Sequence, residues 1–250
     1  IVIASGPCGG TTQYPGSGKS IAVTISPLTH IPIDSNAGGH FGPYLKFAGW
    51  DAIEVQGKAE DEVVVYIDGP AGKVQVLAAP EDCPTDTHML GHWMMDNFAA
   101  SDKDKRHLSF VSAGRGSEHS RMGCLNFSLY DRRRKDLRYK QAGRGGIGTV
   151  LRDKKIKAVI VKSPPVRGDS NQPAEMERIA ETGAEMQREV ATYDAKQNRM
   201  RHSGTSYLVE IMNDYDLLPV HNFKFGRHPK AEKIKREIWG GRGDRDYVMQ

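Results

Sequence analysis

Two stretches of the chain, 106 residues apart, share an ungapped pattern of glycine and apolar positions. When Asn36–Val55 is placed over Ala142–Val161, two glycines fall on glycines, and several apolar residues fall on apolar residues. Each stretch predicts a glycine loop, a helix of roughly two turns and a strand. Matched pairs are Gly39 and Gly145, Gly42 and Gly148, Leu45 and Leu151, Lys46 and Arg152, and Ala52 and Ala158. Duplication of one unit explains this pattern, and chance similarity between two glycine-rich loops is the alternative.

The duplicated arrangement predicts a fold with pseudo-two-fold symmetry, in which the two glycine loops face one ligand. A glycine lets a ligand approach the backbone closely, and the free N–H groups at the start of a helix attract anions. The pair therefore suits a ligand with two phosphate ends, or two phosphorylated ligands side by side. Lys19 and Arg144 are suitable counter-charges. Tight turns without any ligand are the alternative explanation for the glycines.

The stretch "PGSGKS" at Pro15–Ser20 looks like the phosphate-binding loop of a nucleotide triphosphatase. That motif needs a glycine where the chain has Gln13, and it needs a helix after the lysine. Here "SIAVTIS" follows, which alternates as a strand does and contains four β-branched residues. We therefore reject a triphosphatase and expect Lys19 to present a cation at the start of a strand.

Composition excludes several other classes of protein. The 250 residues are 38% hydrophobic and carry a net charge of +4, which suits a globular protein and an anionic ligand. No basic helix or aromatic RNA-binding motif appears, so we expect no nucleic-acid partner. The three cysteines are widely spaced, which argues against a disulfide framework or a metal site built from this segment alone. No membrane span and no signal peptide are found, so we expect a cytoplasmic protein.

The order of predicted elements indicates the α+β class, with a β-rich cofactor-binding domain followed by a helical one. Short β segments and glycine-rich turns occupy residues 1–68, an amphipathic helix covers 85–100, and helical spacing begins near Pro173. "Ser163-Pro-Pro" marks a boundary, so we place the domains at 1–165 and 166–250, with the repeat at about 20–57 and 124–163. The chain starts inside a predicted strand without a methionine, so we expect a fragment of a longer polypeptide.

Several ordered motifs resemble one protein family. "SNAGGHFGPYLKFAGWDAIEVQGKAEDEVVVYI" and "AGRGGIGTVLRDKKIKAVIV" are similar to the N-terminal domain of the aldehyde ferredoxin oxidoreductase family of tungsten or molybdenum enzymes. The opening "GP", the stretch "GSGKS" and the later "SPLT" are similar to the family's opening region. "SGTSYLVEIMNDYDLLPVHNF" is similar to a family segment further along, so the resemblance covers nearly the whole chain.

The resemblance implies a tungsten bis-pterin cofactor clasped by this domain, with Mg²⁺ bridging the two pterin phosphates. Backbone carbonyls of Asn36 and Ala142 would bind that Mg²⁺, which suits a cation that prefers oxygen ligands. These two residues are also equivalent in the repeat. Lys19 stands where the family commonly has arginine, which keeps the charge but loses bidentate geometry. The full set of cofactor-binding residues implied is Lys19, Asn36, Ala37, Gly38, Gly39, Ala142, Gly143, Arg144 and Gly145.

The implied reaction is oxidation of an aldehyde to a carboxylic acid, or the reverse. Electrons would pass through a [4Fe–4S] cluster to ferredoxin or to an iron–sulfur subunit of a homo- or hetero-oligomer. The family's cluster cysteines are absent from this sequence, and we expect them beyond this segment. The basic stretch "RRRKDLRYK" (132–140) is longer than the usual family loop, and it suits either a partner subunit or a solvated insertion.

Two alternatives to this function stay open. One is a catalytic subunit similar to the tungsten benzoyl-CoA reductases. The other is a non-catalytic domain that binds a nucleotide or another phosphate ligand. The sequence identifies no catalytic acid or base. His88 and His92 have the spacing of a helical metal pair, but they lack the glutamate of a zinc protease, and we expect ordinary helix residues.

Overall fold

The structure is a computed structural model that describes residues 1–167, 170–194, 197–198, 200–201 and 204–234. The chain divides into two compact units, Ile1–Ala184 and Glu185–Gln250. The first unit contains two β-sheets, and nearly all of their strand pairs are antiparallel. Helices occupy separate positions around these sheets, so the fold belongs to the α+β class.

The first sheet contains four antiparallel strands in the order β3-β2-β1-β4. The strands are β1 (Val2–Ser5), β2 (Ser20–Ile25), β3 (Pro32–Ala37) and β4 (Ala52–Glu54). Side chains in β2 alternate between buried and more exposed positions, as the alternation in "SIAVTIS" predicts. The strand after "PGSGKS" is therefore confirmed, and a phosphate-binding loop of the triphosphatase type, which needs a helix there, is not formed.

The second sheet has six strands in the order β6-β5-β10-β7-β8-β9. Its strands are β5 (Val63–Asp68), β6 (Lys73–Ala78), β7 (Leu108–Ser112), β8 (Leu125–Asp131), β9 (Asp136–Ala142) and β10 (Ile156–Lys162). β5 and β10 run parallel, and the other neighbours in the sheet are antiparallel. β7 contains small or apolar residues, and β10 combines apolar residues with Lys157 and Lys162. Both strands are almost fully buried, as expected of central strands.

Helices cover the faces of the second sheet. α1 (Phe41–Phe47) and α3 (Ile147–Asp153) contribute to the larger hydrophobic core, together with residues from both sheets. In that core the rings of Phe41 and Phe127 meet edge to face, with centroids 5.8 Å apart. α2 (Thr87–Phe98) supplies Leu90, Met94 and Met95 to a second core on the opposite face of β7 and β10. Burial of each such side chain contributes about 1.5–3 kcal/mol.

The predicted helix at 85–100 is present as α2, and its start has a clear chemical cause. The Asp86 side chain accepts hydrogen bonds from the backbone N–H groups of His88 (2.9 Å) and Met89 (3.1 Å). These bonds satisfy two of the N–H groups that a helix start leaves without partners. They also lower the pKa of the Asp86 carboxyl.

The two segments of the sequence repeat have the same order of elements. β2, β3, α1 and β4 follow one another in the first segment, and β8, β9, α3 and β10 follow one another in the second. The four-strand order β3-β2-β1-β4 in the first sheet corresponds to β9-β8-β7-β10 in the second. α1 and α3 both have seven residues, and their bounds differ by the same 106 residues as the matched glycines.

Helices α4 (Met176–Thr192) and α5 (Leu208–Asp214) follow β10. In the second unit the backbone N–H of His228 donates to Asn213 Oδ1 at the end of α5, at 2.8 Å. Val220 and Phe225 form an isolated antiparallel bridge. Within the part of the chain that the structure describes, no helix has both the length and the apolar character needed to cross a bilayer.

The basic stretch at 132–140 forms regular structure rather than an insertion outside the fold. Residues 132–135 make the turn of a hairpin, and the remainder belongs to β9 at the edge of the second sheet. The carboxylate of Asp131 accepts bonds from the backbone N–H groups of Arg133 (2.9 Å) and Arg134 (3.2 Å), which fixes that turn. The charged side chains of β9 alternate with Leu137 and Tyr139, which are half-buried.

Candidate functional site

Two glycine loops lie at corresponding places in the two sheets. The first glycine loop (38–40) joins β3 to α1, and the second glycine loop (143–146) joins β9 to α3. β3 and β9 are the edge strands of their sheets, and they lie beside each other. The sheet edges therefore bring together two loops that are about a hundred residues apart in sequence.

Direct contacts join the second glycine loop to β3. The backbone N–H of Arg144 donates to the Ser35 hydroxyl at 3.2 Å. Gly145 has a φ of +66°, and a Cβ at this position would lie 2.4 Å from Cγ1 of Ile33. Any side chain at 145 would therefore be strained and would push β3 away from the loop. This glycine is required for the close approach of the two sheets.

Gly38 and Gly143 have no such packing requirement. No atom lies within 4 Å of a Cβ built on either residue, and neither has a φ in the left-handed region. A tight turn therefore does not explain these two glycines. Open space beside an accessible backbone is the arrangement that a closely approaching ligand needs.

Two cations stand at these loops. Lys19 Nζ lies 3.4 Å from Oδ1 of Asn36, which puts the lysine beside the end of β3. The Arg144 side chain is exposed, and within the described ranges no ion pair is recorded for either cation. The loop that carries Lys19 also approaches the first glycine loop, since a Cβ at Gly18 would lie 3.6 Å from the Gly39 carbonyl oxygen.

The remaining predicted site residues end the two edge strands. Asn36 is exposed and pairs with Ile21, whereas Ala37 is buried and is the last residue of β3. Ala142 is fully buried, is the last residue of β9 and pairs with Leu125. The structure thus places Asn36 and Ala142 on neighbouring strands, but no direct contact between these two residues is recorded among the described ones.

Sequence reasoning missed the groups that join the loops. Ser35 and Ile33 hold the second glycine loop in place; Ser35 opens the quoted "SNAGG" stretch but was given no role, and Ile33 precedes that stretch. The available signal was the alternation of side chains along β3, which turns the small polar side chain of Ser35 inward. Asp34 lies on the same strand and is exposed.

His88 and His92 do not form a metal pair. The His88 ring meets Tyr139 edge to face with centroids 5.0 Å apart, and His92 lies 3.8 Å from an Asp136 oxygen. Among the residues that the structure describes, no cluster of three or more histidine, cysteine or acidic side chains could hold a metal ion. These findings agree with the expectation of ordinary helix residues.

Comparison with known families gives an independent result. Residues 1–163 match the family model described as aldehyde ferredoxin oxidoreductase, N-terminal domain. Residues 181–242 match the model described as aldehyde ferredoxin oxidoreductase, domains 2 and 3. The chain belongs to the aldehyde ferredoxin oxidoreductase family. The resemblance carried by the two glycine stretches is therefore confirmed.

Individual relatives agree with the family assignment. The chain is 32% identical over 243 residues to a tungsten-containing aldehyde ferredoxin oxidoreductase of Pyrococcus furiosus, covering 92% of this chain and 35% of that protein. It is 31% identical over 238 residues to one of Thermococcus kodakarensis, covering 90% and 34%. A P. furiosus aliphatic sulfonate oxidoreductase, WOR-like subunit, is 28% identical over 170 residues, covering 65% and 25%. The chain thus spans about a third of the length of its tungsten-containing relatives.

A solved structure shows a related fold. The match is the active site complex BamBC of benzoyl coenzyme A reductase, in complex with 1,5-dienoyl-CoA, with a TM-score of 0.54 and 26% sequence identity. The similarity covers 65% of this chain and 22% of that one. This chain and that enzyme therefore have a similar fold over the matched part.

Proposed function

We propose that this chain is the cofactor-binding part of a tungsten bis-pterin oxidoreductase. The observation that carries the proposal is the packing of the second glycine loop against β3, the strand that leads into the first glycine loop, in a chain that belongs to the aldehyde ferredoxin oxidoreductase family. Gly38 and Gly143 leave open space, and Lys19 and Arg144 stand beside it as exposed cations. Such a surface suits a large ligand that carries phosphate groups.

The residues present fit this cofactor chemically. Lys19 and Arg144 would neutralise the pterin phosphates. The backbone from Asn36 to Gly39 and from Ala142 to Gly145 would line the ligand, because it lacks large side chains. Carbonyl oxygens of Asn36 and Ala142 are suitable ligands for Mg²⁺. The bound tungsten and pterins would supply the two-electron chemistry, while the chain supplies binding, orientation and charge.

We also propose that the two halves of this surface arose by duplication. The same element order, the same strand order and the shared offset of 106 residues support this proposal. We further propose a domain boundary near residue 165, after which a helical domain begins. α4 and α5 lie in the region that we assign to that helical domain.

For the reaction, we propose oxidation of an aldehyde to a carboxylic acid, or the reverse. Electrons would leave through a [4Fe–4S] cluster, held by residues outside this chain, to ferredoxin or to an iron–sulfur subunit in the cytoplasm. The names of the relatives in Pyrococcus and Thermococcus support this choice. The fold similarity to the BamBC complex favours one alternative, a benzoyl-CoA reductase-like catalytic subunit.

Metal and pterin analysis of the full-length protein, purified without oxygen, tests the cofactor. We expect one tungsten and two pterins for each chain, whereas a metal-free protein that binds ADP would favour a non-catalytic phosphate-binding domain. Aldehyde-dependent reduction of a viologen dye, compared with turnover of benzoyl-CoA, then separates the two enzymes.

The variant Arg144→Ala tests the site within that protein. We expect lower pterin occupancy, because one phosphate loses its cation. Arg133→Ala is the matched control, since Arg133 is an exposed arginine on the hairpin turn. Full pterin occupancy in Arg144→Ala would contradict the assignment.

A further inference from the structure

A cleft of about 470 Å³ lies beside α1, and of its lining residues only His40 belongs to the two glycine loops described above. It is bounded by α1, by the loop that precedes β2 and by the end of β8. We call it the α1 cleft. Its walls include the apolar side chains of Pro43, Phe47, Leu129 and Val166 and the ionisable side chains of His40, Asp131 and Arg132. The Asp131 carboxylate is already engaged, because it accepts hydrogen bonds from the backbone N–H groups of the hairpin turn.

His40 is held in one tautomer. The Tyr44 hydroxyl donates its single proton to the Arg106 carbonyl oxygen at 2.6 Å. The 3.3 Å contact between that hydroxyl and His40 Nδ1 is therefore formed by Nδ1–H donating to the phenol oxygen. Nε2 consequently carries a lone pair, and no partner for Nε2 is recorded in the described ranges.

The surroundings of His40 favour its neutral form. Burial lowers the pKa of its imidazole, and the positive charge of Arg132 lowers this pKa further. The other titratable or charged groups around the cleft are Tyr44, Arg106, Tyr130 and Asp131. Gly10, Thr12 and Ser17, which line the cleft from the loop before β2, are uncharged.

Arg132 is a cation without a protein counter-charge in the described part of the chain. Its neighbours Arg134 and Arg138 lie 3.7 and 3.8 Å from the Asp131 carboxylate, and no ion pair is recorded for Arg132. Its charge also acts on Tyr44 and His107, so the guanidinium lies close to the polar end of the cleft. A free guanidinium beside apolar walls fits an amphipathic anion.

We propose that the α1 cleft binds a small monocarboxylate, with Arg132 as its cation and His40 Nε2 as a proton acceptor beside it. One guanidinium matches one negative charge in bidentate geometry. Pro43, Phe47 and Leu129 suit the hydrocarbon part of the ligand. Arg132 is the one arginine or lysine among the described lining residues, and the apolar walls favour a monocarboxylate over a phosphate dianion, which has no hydrocarbon part to bury.

Binding of the carboxylate is coupled to protonation of His40. A carboxylate oxygen near Nε2 would meet a lone pair, so Nε2 takes a proton from solvent and then donates it to the ligand. The nearby negative charge raises the His40 pKa in the complex above that of the free protein. Affinity therefore increases as pH falls through the interval between the His40 pKa of the complex and the lower His40 pKa of the free protein.

This proposal does not rest on the proposed oxidoreductase function. The acids formed from aldehydes belong to the same chemical class, but the test measures binding and needs no turnover. A protein that lacks tungsten activity could still have the carboxylate site, and an active enzyme could lack it.

Isothermal titration calorimetry on the full-length protein, with benzoate as the probe, tests the proposal. We expect saturable binding that Arg132→Gln weakens by roughly tenfold or more. The matched control Arg133→Gln should change the affinity by less than about twofold, because its exposed side chain does not line the cleft. Benzamide, which has a similar shape without the charge, should not compete.

The proton coupling has its own measurement. The binding enthalpy of the wild-type protein should depend on the ionisation enthalpy of the buffer, which reports proton uptake. In His40→Gln this dependence and the rise in affinity at lower pH should both disappear. The thermal unfolding midpoint of each variant shows that it is folded.

Three results would overturn the proposal. One is that Arg132→Gln leaves benzoate binding unchanged, or that the wild-type protein does not bind benzoate. Another is an equal loss in Arg133→Gln, which would indicate general attraction to the basic hairpin. The third is competition by inorganic phosphate as strong as competition by a second monocarboxylate, which would indicate an unspecific anion site.

Discussion

Two glycines of one loop are required for different physical reasons. Gly145 has a left-handed φ and lies against Ile33, so it is needed for packing. Gly143 has neither constraint, and the space beside it is open. A change at Gly145 should therefore affect the stability of the fold, whereas a change at Gly143 should affect the ligand.

Gly145→Ala should destabilise the folded protein by about 2–4 kcal/mol, from the left-handed backbone and the contact with Ile33 together. Gly143→Ala is the matched control and should change the free energy of unfolding by less than about 0.5 kcal/mol. Urea unfolding of both variants measures the difference. Equal destabilisation by the two substitutions would show that the space beside Gly143 is not open in solution.

At the scale of elements, a cluster of four charges attaches α3 and β10 to their neighbours. Arg152 of α3 is buried, and its Nε donates to Glu118 at 2.7 Å. Arg152 also pairs with Glu62, just ahead of β5. Lys157 of β10 is buried, and its Nζ lies 2.9 Å from the other oxygen of Glu62. Removing one member leaves charges without partners, which is destabilising.

Glu62→Gln should make the protein less stable at neutral pH by about 1 kcal/mol, a modest value because Glu62 is partly exposed. Burial raises the pKa of Glu62, but the hydrogen bond from Lys157 and the charge of Arg152 outweigh burial, and the pKa falls below its ordinary 4.5. The ionised carboxylate therefore stabilises the fold above that pH, and this contribution is lost as pH falls through the lowered pKa.

Thermal unfolding at about pH 7 and at about pH 3 measures this effect. The difference in thermal unfolding midpoint between the wild type and Glu62→Gln should be largest at neutral pH and should become smaller in acid. Glu81→Gln, an exposed acidic position, is the control and should show no gap at either pH. A gap that stays constant with pH would mean that the Glu62 charge does not stabilise the fold.

The elements that sequence predicted and those that it missed differ in physical character. β2 and β5 are rich in β-branched residues, and this composition was sufficient to predict both as strands. β3 contains proline, aspartate and asparagine, which are depleted in strands, and only its edge position tolerates them. β9 carries four charged or amide side chains and was treated as an insertion, although Leu137 and Tyr139 alternate as in a half-buried strand.

The candidate site was predicted in part for a similar reason. The glycine loops were visible because glycine placed before a helix is a local signal. The bond between Arg144 and Ser35 joins residues 109 positions apart, and no local pattern encodes such a contact. The His40–Tyr44 contact has helical spacing, but its meaning depends on Arg106 and Arg132, which other elements supply.

At the scale of the whole molecule, the two glycine loops should contribute equally if they hold the two ends of one cofactor. Gly38→Ala and Gly143→Ala should each lower tungsten and pterin content to a similar extent, because each added methyl enters open space in a corresponding loop. Elemental and pterin analysis of the full-length protein measures both. Gly116→Ala is the control, since it also has open space but lies outside the loops. A loss confined to one loop would contradict a shared cofactor.

The meeting of β3 and β9 has a consequence for the order of events during synthesis. The ribosome completes the first glycine loop about a hundred residues before the second, which at typical elongation rates is a delay of roughly 5–20 s. During this interval β9 does not yet lie beside the edge of β3, and the Ser35 hydroxyl cannot accept a hydrogen bond from the Arg144 N–H. Loading of a ligand that needs both loops must therefore wait until β9 has been made and has found β3.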